Sequence, residues 1–320
     1  MQVLITTIPF GSYDREPLEI LEQANIDYLI NPFERKISEK ELAGIISDFD
    51  ALIAGTEPIT DFVLTKAKKL KIIARVGVGY NNINLKTAKE KSIKITYTPN
   101  GPDAAVTDLT IGLMYSLLRA THVSNLKLHQ GIWERSIGRR VSECSIGIIG
   151  VGKIGFDVAL ELEKIGTKSI MLNDINQNAN LSRHPTMAWH SFDSIIKKAD
   201  VITLHLPLTN KTENLITKTE LQLMKKDCVL INTSRGGVVN ENDLFEVMNS
   251  GHLFGAALDV FREEPYQGKL IKVDRCLLTA HTASMTIDCR TKMELAATKE
   301  VVDFFQGKEL NTEIPNYFIG

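Results

Sequence analysis

The stretch "SIGIIGVGKIG", Ser145–Gly155, reads as a strand that turns through closely spaced glycines into a helix. Gly150, Gly152 and Gly155 stand in the order G-x-G-x-x-G. In such a turn the first glycine allows the tight bend, the second lets the backbone approach a pyrophosphate, and the third lets helix and strand pack closely. The helix that opens at Lys153 and Ile154 would aim its N-terminal amides at the phosphates. The next apolar run, "SIMLND", ends in Asp174, 19 residues beyond Gly155. A carboxylate at that distance holds an adenosine ribose and repels a 2′-phosphate, so the expected cofactor is NAD rather than NADP. A dinucleotide-binding domain, contacting its ligand through Gly150, Gly152, Lys153, Ile154, Gly155 and Asp174, is therefore expected in the second half of a 320-residue chain.

Downstream, short apolar runs keep alternating with amphipathic stretches. "VITLHL", "CVLINT", "LFGAALDV" and "CLLTA" read as strands, and 153–164, 191–198, 217–225 and 241–250 as helices. Upstream, "VLITTI", "YLI", "ALIAG", "KIIARV" and "IKITYT" form another series, with a capping box at Ser38–Glu41 and a helix start at Thr60. Regular β/α alternation implies parallel, doubly wound sheets, so the fold class is α/β with two such domains. "TPNGP" (98–102) interrupts the first series. After it, "DAAVTDLTIGLMYSLLRATHVSNLKLHQG" reads as one long helix from Asp103 to near Gly131. It is apolar on most faces, so it should be buried against a domain or a second subunit. A last helix covers 286–305, and the tail "NYFIG" has no evident partner.

The net charge of −2 exerts no general pull on nucleic acid or an anionic membrane. No apolar run approaches 18 residues and residues 1–10 carry no basic segment, so neither a membrane span nor a signal peptide is expected, and the cytoplasm is the default location. Cys144, Cys228, Cys276 and Cys289 lack metal-type spacing. They read as buried free thiols, and no metal site is expected.

Three residues carry the candidate chemistry. Arg235 follows "CVLINTS", Glu264 lies in "LDVFREEP", and His281 follows "CLLTA". Each falls just beyond a strand's carboxyl end, where ligands bind in open α/β sheets. Reducing a 2-keto acid takes a hydride at carbon and a proton at oxygen. A histidine can supply the proton. A nearby carboxylate fixes its tautomer and favours its charged form. A guanidinium can grip the substrate carboxylate and stabilise charge on the carbonyl oxygen.

With "GVGKIG", "LHLPLTNKTENLI", "LINTSRGGVVNENDL", "ALDVFREEP" and "TAHTAS" in this order, the chain resembles the D-isomer-specific 2-hydroxyacid dehydrogenases over nearly its whole length. The resemblance implies that Arg235 and Glu264 are catalytic and that His281 exchanges the proton. It implies that His205, Thr233, Ser234 and Asp259 lie at the cofactor. It also implies a Rossmann NAD-binding domain (101–285) inserted into a flavodoxin-like substrate domain made of 1–100 and 286–320. A homodimer through the long helix from Asp103 is a further implication. Formate dehydrogenases, which resemble this family, carry Gln where this chain has Glu264.

"ARVGVGYNNIN" (74–84) is similar to the family's substrate loop. Val76, Gly77, Val78 and Gly79 are expected to offer backbone N–H groups to a substrate carboxylate, alongside Arg235. Asn81 and Asn84 replace the usual Asp and should weaken local capping. "IAGTEPIT" and "AVTDLTIGLM" are nearest in flavour to phosphoglycerate dehydrogenases, which makes 3-phosphoglycerate one candidate substrate. However, Ala54 stands where several of those enzymes carry a phosphate-binding Arg, and no regulatory domain is expected after Gly320. Arg75, Arg139 and Arg140 are possible replacements for that contact. Glyoxylate or hydroxypyruvate reduction is the alternative. In another class, some relatives are NAD(H)-sensing corepressors that keep the same three residues but carry flexible tails; this chain shows almost none. The expected partner is thus a small 2-keto or 2-hydroxy acid rather than nucleic acid or membrane.

Overall fold

The computed structural model describes residues 1–99, 101–178, 181 and 183–314. The chain divides into two compact units: Met1–Pro102 together with the residues from Met285 onward, and Asp103–Ser284.

In the first unit the elements are β1 (Gln2–Ile5), α1 (Glu16–Gln23), β2 (Asp27–Ile30), α2 (Glu39–Ile45), β3 (Ala51–Ala54), α3 (Asp61–Lys66), β4 (Ile72–Arg75), α4 (Leu85–Glu90) and β5 (Lys94–Thr96). The strands are all parallel, in the order β2-β1-β3-β4-β5. This is the flavodoxin-like arrangement. β3 and β4 are buried along their whole length, which is why they read as uninterrupted apolar runs rather than alternating ones. The expected capping box opens α2, with Ser38 and Glu41 each serving the other's backbone. Asn84 does cap α4, its side chain accepting the Thr87 N–H at 3.1 Å. Asn caps a helix about as well as Asp, so the cap is kept.

The second unit contains α5 (Asp103–Leu118), α6 (Thr121–His129), β6 (Ser145–Ile149), α7 (Lys153–Lys164), β7 (Ser169–Asn173), β8 (Met187–Trp189), α8 (Phe192–Lys198), β9 (Val201–Leu204), α9 (Lys218–Leu223), β10 (Val229–Asn232), α10 (Glu241–Asn249), β11 (Gly255–Leu258) and β12 (Cys276–Leu278). Its parallel sheet runs β12-β11-β10-β9-β6-β7-β8, the Rossmann order extended by one strand. β8 is an addition to the strands expected from sequence. It is an edge strand of three residues with only Met187 fully buried, too short to show a period.

The expected single long helix is in fact two. Ala120 adopts a left-handed conformation, φ +48°, and separates α5 from α6. The cause is tertiary. The Leu118 carbonyl accepts the Arg139 N–H at 3.0 Å, and Gly138 lies against that carbonyl so closely that a Cβ would approach it to 2.4 Å. α5 itself buries Leu113, Met114, Leu117 and Leu118 among Ile146, Ile148, Val158, Val229 and Ile231 of its own unit. At about 1.5–3 kcal/mol per buried side chain, this packing explains why α5 is apolar on so many faces.

The chain then returns to the first unit through α11 (Ile287–Phe305), which packs on α1, β3 and β4. One turn apart on its buried face are Arg290 and Glu294, 2.7 Å between charged atoms. They clasp the loop after β1. Arg290 also donates to the Pro9 carbonyl at 2.5 Å, and Glu294 accepts the Gly11 N–H at 2.9 Å. Removing one partner would strand a buried charge. Glu294→Ala should therefore lower unfolding stability by about 3–5 kcal/mol. Urea titration checks this; a loss below about 1 kcal/mol would show that water or another group satisfies Arg290.

Among the described residues, no helix is long and apolar enough to cross a membrane, and no cluster of His, Cys, Asp or Glu could hold a metal ion. All four cysteines are free and buried.

Candidate active site

The glycine turn follows β6 at the point where the sheet order reverses, between β6 and β9. Gly150 takes φ +92°, and a Cβ on it would sit 2.3 Å from the His205 carbonyl oxygen. A Cβ on Gly155 would lie 2.0 Å from the Gly150 oxygen. Gly152, the N-cap of α7, has nothing within 4 Å of where its Cβ would be. The first and third glycines are thus demanded by close packing, whereas the second leaves an open cradle at a helix N-terminus. That cradle fits a pyrophosphate. Asp174 closes the side of the turn, its carboxylate accepting the Val151 N–H at 2.7 Å and the Asn176 N–H at 2.9 Å. Lys153 pairs with Asp103 at the start of α5.

His205 ends β9. Its N–H donates to the Ile149 carbonyl at 2.8 Å, and its Nε2 lies 3.0 Å from the Thr203 hydroxyl. Burial pushes its imidazole down to about 4, so the ring is neutral at pH 7. The turn after β10 is organised by Asn232, which the sequence did not single out. Its Oδ1 accepts from the Ser234 N–H at 3.0 Å and the Ser234 hydroxyl at 2.7 Å, and its Nδ2 donates to the Arg235 carbonyl at 2.9 Å. Thr233 is held from the other side by Thr110 of α5, 2.9 Å away. Thr110 gives its own proton to the Val106 carbonyl, so the Thr233 hydroxyl is the donor in this pair. A polar residue inside an apolar helix was the available signal for Thr110.

Arg235, Glu264 and His281 lie beyond the carboxyl ends of the neighbouring strands β10, β11 and β12. Both Glu264 carboxylate oxygens approach His281 Nδ1, at 3.1 and 3.0 Å. Glu264 Oε1 also accepts the Phe261 N–H at 3.2 Å. The Arg235 guanidinium donates to the Ser234 carbonyl at 2.6 Å. Burial lowers its proton affinity, and the Glu264 charge works against that; a guanidinium stays cationic all the same.

His281 occupies a left-handed backbone conformation, φ +54°, which costs on the order of 1–3 kcal/mol for a residue with a side chain. Asp259, fully buried, holds it there. The Asp259 carbonyl accepts the His281 N–H at 2.9 Å. Its carboxylate accepts from the Thr279 hydroxyl at 2.6 Å, the Thr282 N–H at 2.8 Å and the Ala283 N–H at 2.9 Å. Asp259, expected at the cofactor, here binds the segment that carries the histidine.

The expected substrate loop belongs to the first unit and needs one correction. Gly77 has the positive φ, +143°, but its N–H donates to the Thr98 hydroxyl at 2.6 Å. The Val76 N–H is likewise taken, by the Ala54 carbonyl at 2.9 Å. The extended strand consumes the first amide and a neighbouring side chain the second, leaving Val78 and Gly79 as the loop's candidate donors. Arg75 is buried beneath Gly77, its guanidinium bonded to the Val76 carbonyl. Arg139 donates to the Asp227 carbonyl at 2.6 Å and Arg140 pairs with Glu143. Both precede β6, at the amino edge of the sheet, so neither is placed for a ligand at its carboxyl edge.

The sequence profile for "D-isomer specific 2-hydroxyacid dehydrogenase, NAD binding domain" matches residues 111–283. The chain belongs to this family. A hydroxypyruvate reductase of Thermotoga maritima is 30% identical over 88% of this chain and 94% of its own length. A D-3-phosphoglycerate dehydrogenase of Methanocaldococcus jannaschii is 32% identical over 85% of this chain but only 53% of its own. The crystal structure of a Thermus thermophilus protein superposes with a TM-score of 0.88 at 28% identity, over 98% of this chain and all of the other. This D-2-hydroxyacid dehydrogenase uses NAD. When bound, the nicotinamide supplies or accepts the hydride; the proton and the charge at oxygen are left to the protein.

Proposed function

We propose that this enzyme interconverts a small, unphosphorylated 2-keto acid and its D-2-hydroxy acid, with His281 exchanging the proton. The observation that carries this reading is the Glu264–His281 pair. With Nδ1 bound by a carboxylate at 3.0–3.1 Å, the imidazole keeps its proton on that nitrogen, and Nε2 is left to give or take one at the substrate oxygen. Arg235, Val78 and Gly79 are the residues we assign to the substrate's oxygens, and Gly150, Gly152, Lys153, Ile154, Gly155, Asp174, His205, Thr233 and Ser234 to the cofactor.

Among the described residues, the arginines considered for a phosphate contact are committed elsewhere, which favours an unphosphorylated substrate. Position 54 is a buried alanine, Arg139 and Arg140 serve the opposite sheet edge, and Arg75 is buried against its own strand end. Glyoxylate and hydroxypyruvate suit such a site. The test is NADH oxidation with glyoxylate, hydroxypyruvate and 3-phosphohydroxypyruvate, repeated with NADPH. We expect the highest kcat/KM with NADH and one of the two unphosphorylated acids. Preference for the phosphorylated acid would overturn the substrate assignment, and equal use of NADPH would overturn the role of Asp174.

We also propose a cytoplasmic homodimer. The buried free thiols suit a reducing compartment. Leu126, Leu128, Ile132, Trp133 and Ile137, on α6 and the segment after it, are exposed large apolar side chains. Such a cluster suits contact with a second copy.

A further inference from the structure

Two loops of the second unit carry Arg235 and Glu264, and they meet at one peptide group, Phe261–Arg262. Gly236 lies flat against it: a Cβ there would fall 1.9 Å from the Phe261 oxygen and 2.6 Å from the Arg262 nitrogen. The N–H of that same peptide donates to Glu241 Oε1 at 2.7 Å. The preceding N–H, of Phe261, donates to Glu264. Successive amides of one turn are thus held by two carboxylates, one of which faces His281. Glu241 begins α10, whose core-facing Leu244, Val247 and Met248 anchor it to the sheet. Its position is therefore set by the rigid part of the domain, whereas the 259–264 segment contains no regular structure. The Arg262 side chain is occupied elsewhere, bonded to Glu213 at 2.9 Å, so it does not compete for Glu241 as a close ion pair.

We infer that Glu241 is a positioning residue for the catalytic pair: by holding the Arg262 N–H it sets the turn that aims Glu264 at His281. The role requires an acceptor oxygen, not a charge. Burial and the nearby Glu263 and Glu264 carboxylates push the Glu241 carboxyl upward, and its carbonyl oxygen accepts the same hydrogen bond in either protonation state. In sequence Glu241 sits in "VVNENDL" as an ordinary first-turn acid.

This inference rests on the proposed roles of Glu264 and His281, and the test separates the two. Steady-state kcat/KM for keto-acid reduction and the NADH dissociation constant are measured for Glu241→Ala, Glu241→Gln, Glu264→Gln and the double variant Glu241→Ala/Glu264→Gln. Glu241→Ala should lose about tenfold in kcat/KM, a coupling typical of residues in one hydrogen-bond network. NADH affinity should not change. Glu241→Gln, which keeps an acceptor oxygen, should restore most of the loss. In the Glu264→Gln background the alanine should add little, because the group it positions no longer carries charge. If Glu241→Ala is unfolded, Glu241→Leu, which keeps the volume of the half-buried stem, takes its place. Full activity in the alanine variant, an equal loss in the glutamine variant, or an undiminished loss in the Glu264→Gln background would each overturn the inference. Full activity in Glu264→Gln alone would instead overturn the catalytic reading beneath it.

Discussion

His281→Ala should lose most turnover in both directions while still binding NADH. We assign the imidazole the proton exchange with the substrate oxygen, and a positioned general acid contributes about 10²–10⁴-fold in rate. We expect kcat/KM to fall within that range for reduction and for oxidation alike, because microscopic reversibility gives the histidine both jobs. NADH titration by fluorescence should be unchanged, since the glycine turn and Asp174 belong to other strands. The accompanying Glu264→Gln variant tests the pairing. Glutamine can still accept from Nδ1 but removes the negative charge 3.0 Å from the ring. Reduction kcat/KM should therefore fall while NADH affinity holds. A deuterated NADH isotope effect must show that hydride transfer limits the rate. An unchanged kcat/KM in Glu264→Gln under that condition would refute the pairing, and near-normal turnover in His281→Ala would remove the histidine from the mechanism.

Arg235→Lys should cost roughly 10²–10³-fold in kcat/KM, the range for losing one positioned donor to a developing oxyanion. Lysine keeps the charge but not the planar, two-pronged geometry. The structure makes the geometry specific. The Arg235 turn is fixed by Asn232, and one guanidinium nitrogen is already committed to the Ser234 carbonyl at 2.6 Å. The remaining N–H groups are thereby oriented, whereas an ammonium on a flexible stem would not be. On the role we assign to Arg235, the change weakens binding of the substrate's oxygens, so kcat and KM should both worsen while NADH affinity holds. A lysine variant with normal kcat/KM would show that charge alone suffices, and an alanine variant with normal kcat/KM would exclude Arg235 altogether.

Much of this architecture was legible in the chain. Buried parallel strands announce themselves as apolar runs, which is why β3, β4, β9, β10 and β11 stand out in the sequence. The glycine pattern was legible for a different reason. Gly150 and Gly155 are required by contacts within ten residues or at the adjacent strand end, so local spacing encodes them. Arg235, Glu264 and His281 could be placed because each follows a strand, and in a parallel sheet all strand ends of one kind lie on one edge.

What the chain did not disclose depends on partners distant in sequence. The break at Ala120 has no glycine or proline to mark it; it exists because Arg139 captures the Leu118 carbonyl. The Gly77 amide looked available until Thr98, 21 residues away, was seen to hold it. No spacing disclosed that the Asp259 carboxylate binds Thr279, Thr282 and Ala283, 20 to 24 residues away. Glu241 was invisible because its bond to the Arg262 N–H, 21 residues away, follows no periodicity. Residue type and spacing thus specified the two sheets, their class and the three chemical groups, since these follow from local backbone geometry and burial. Which donor meets which acceptor was settled by the packing of segments 20 or more residues apart, and there composition carries no information about distance.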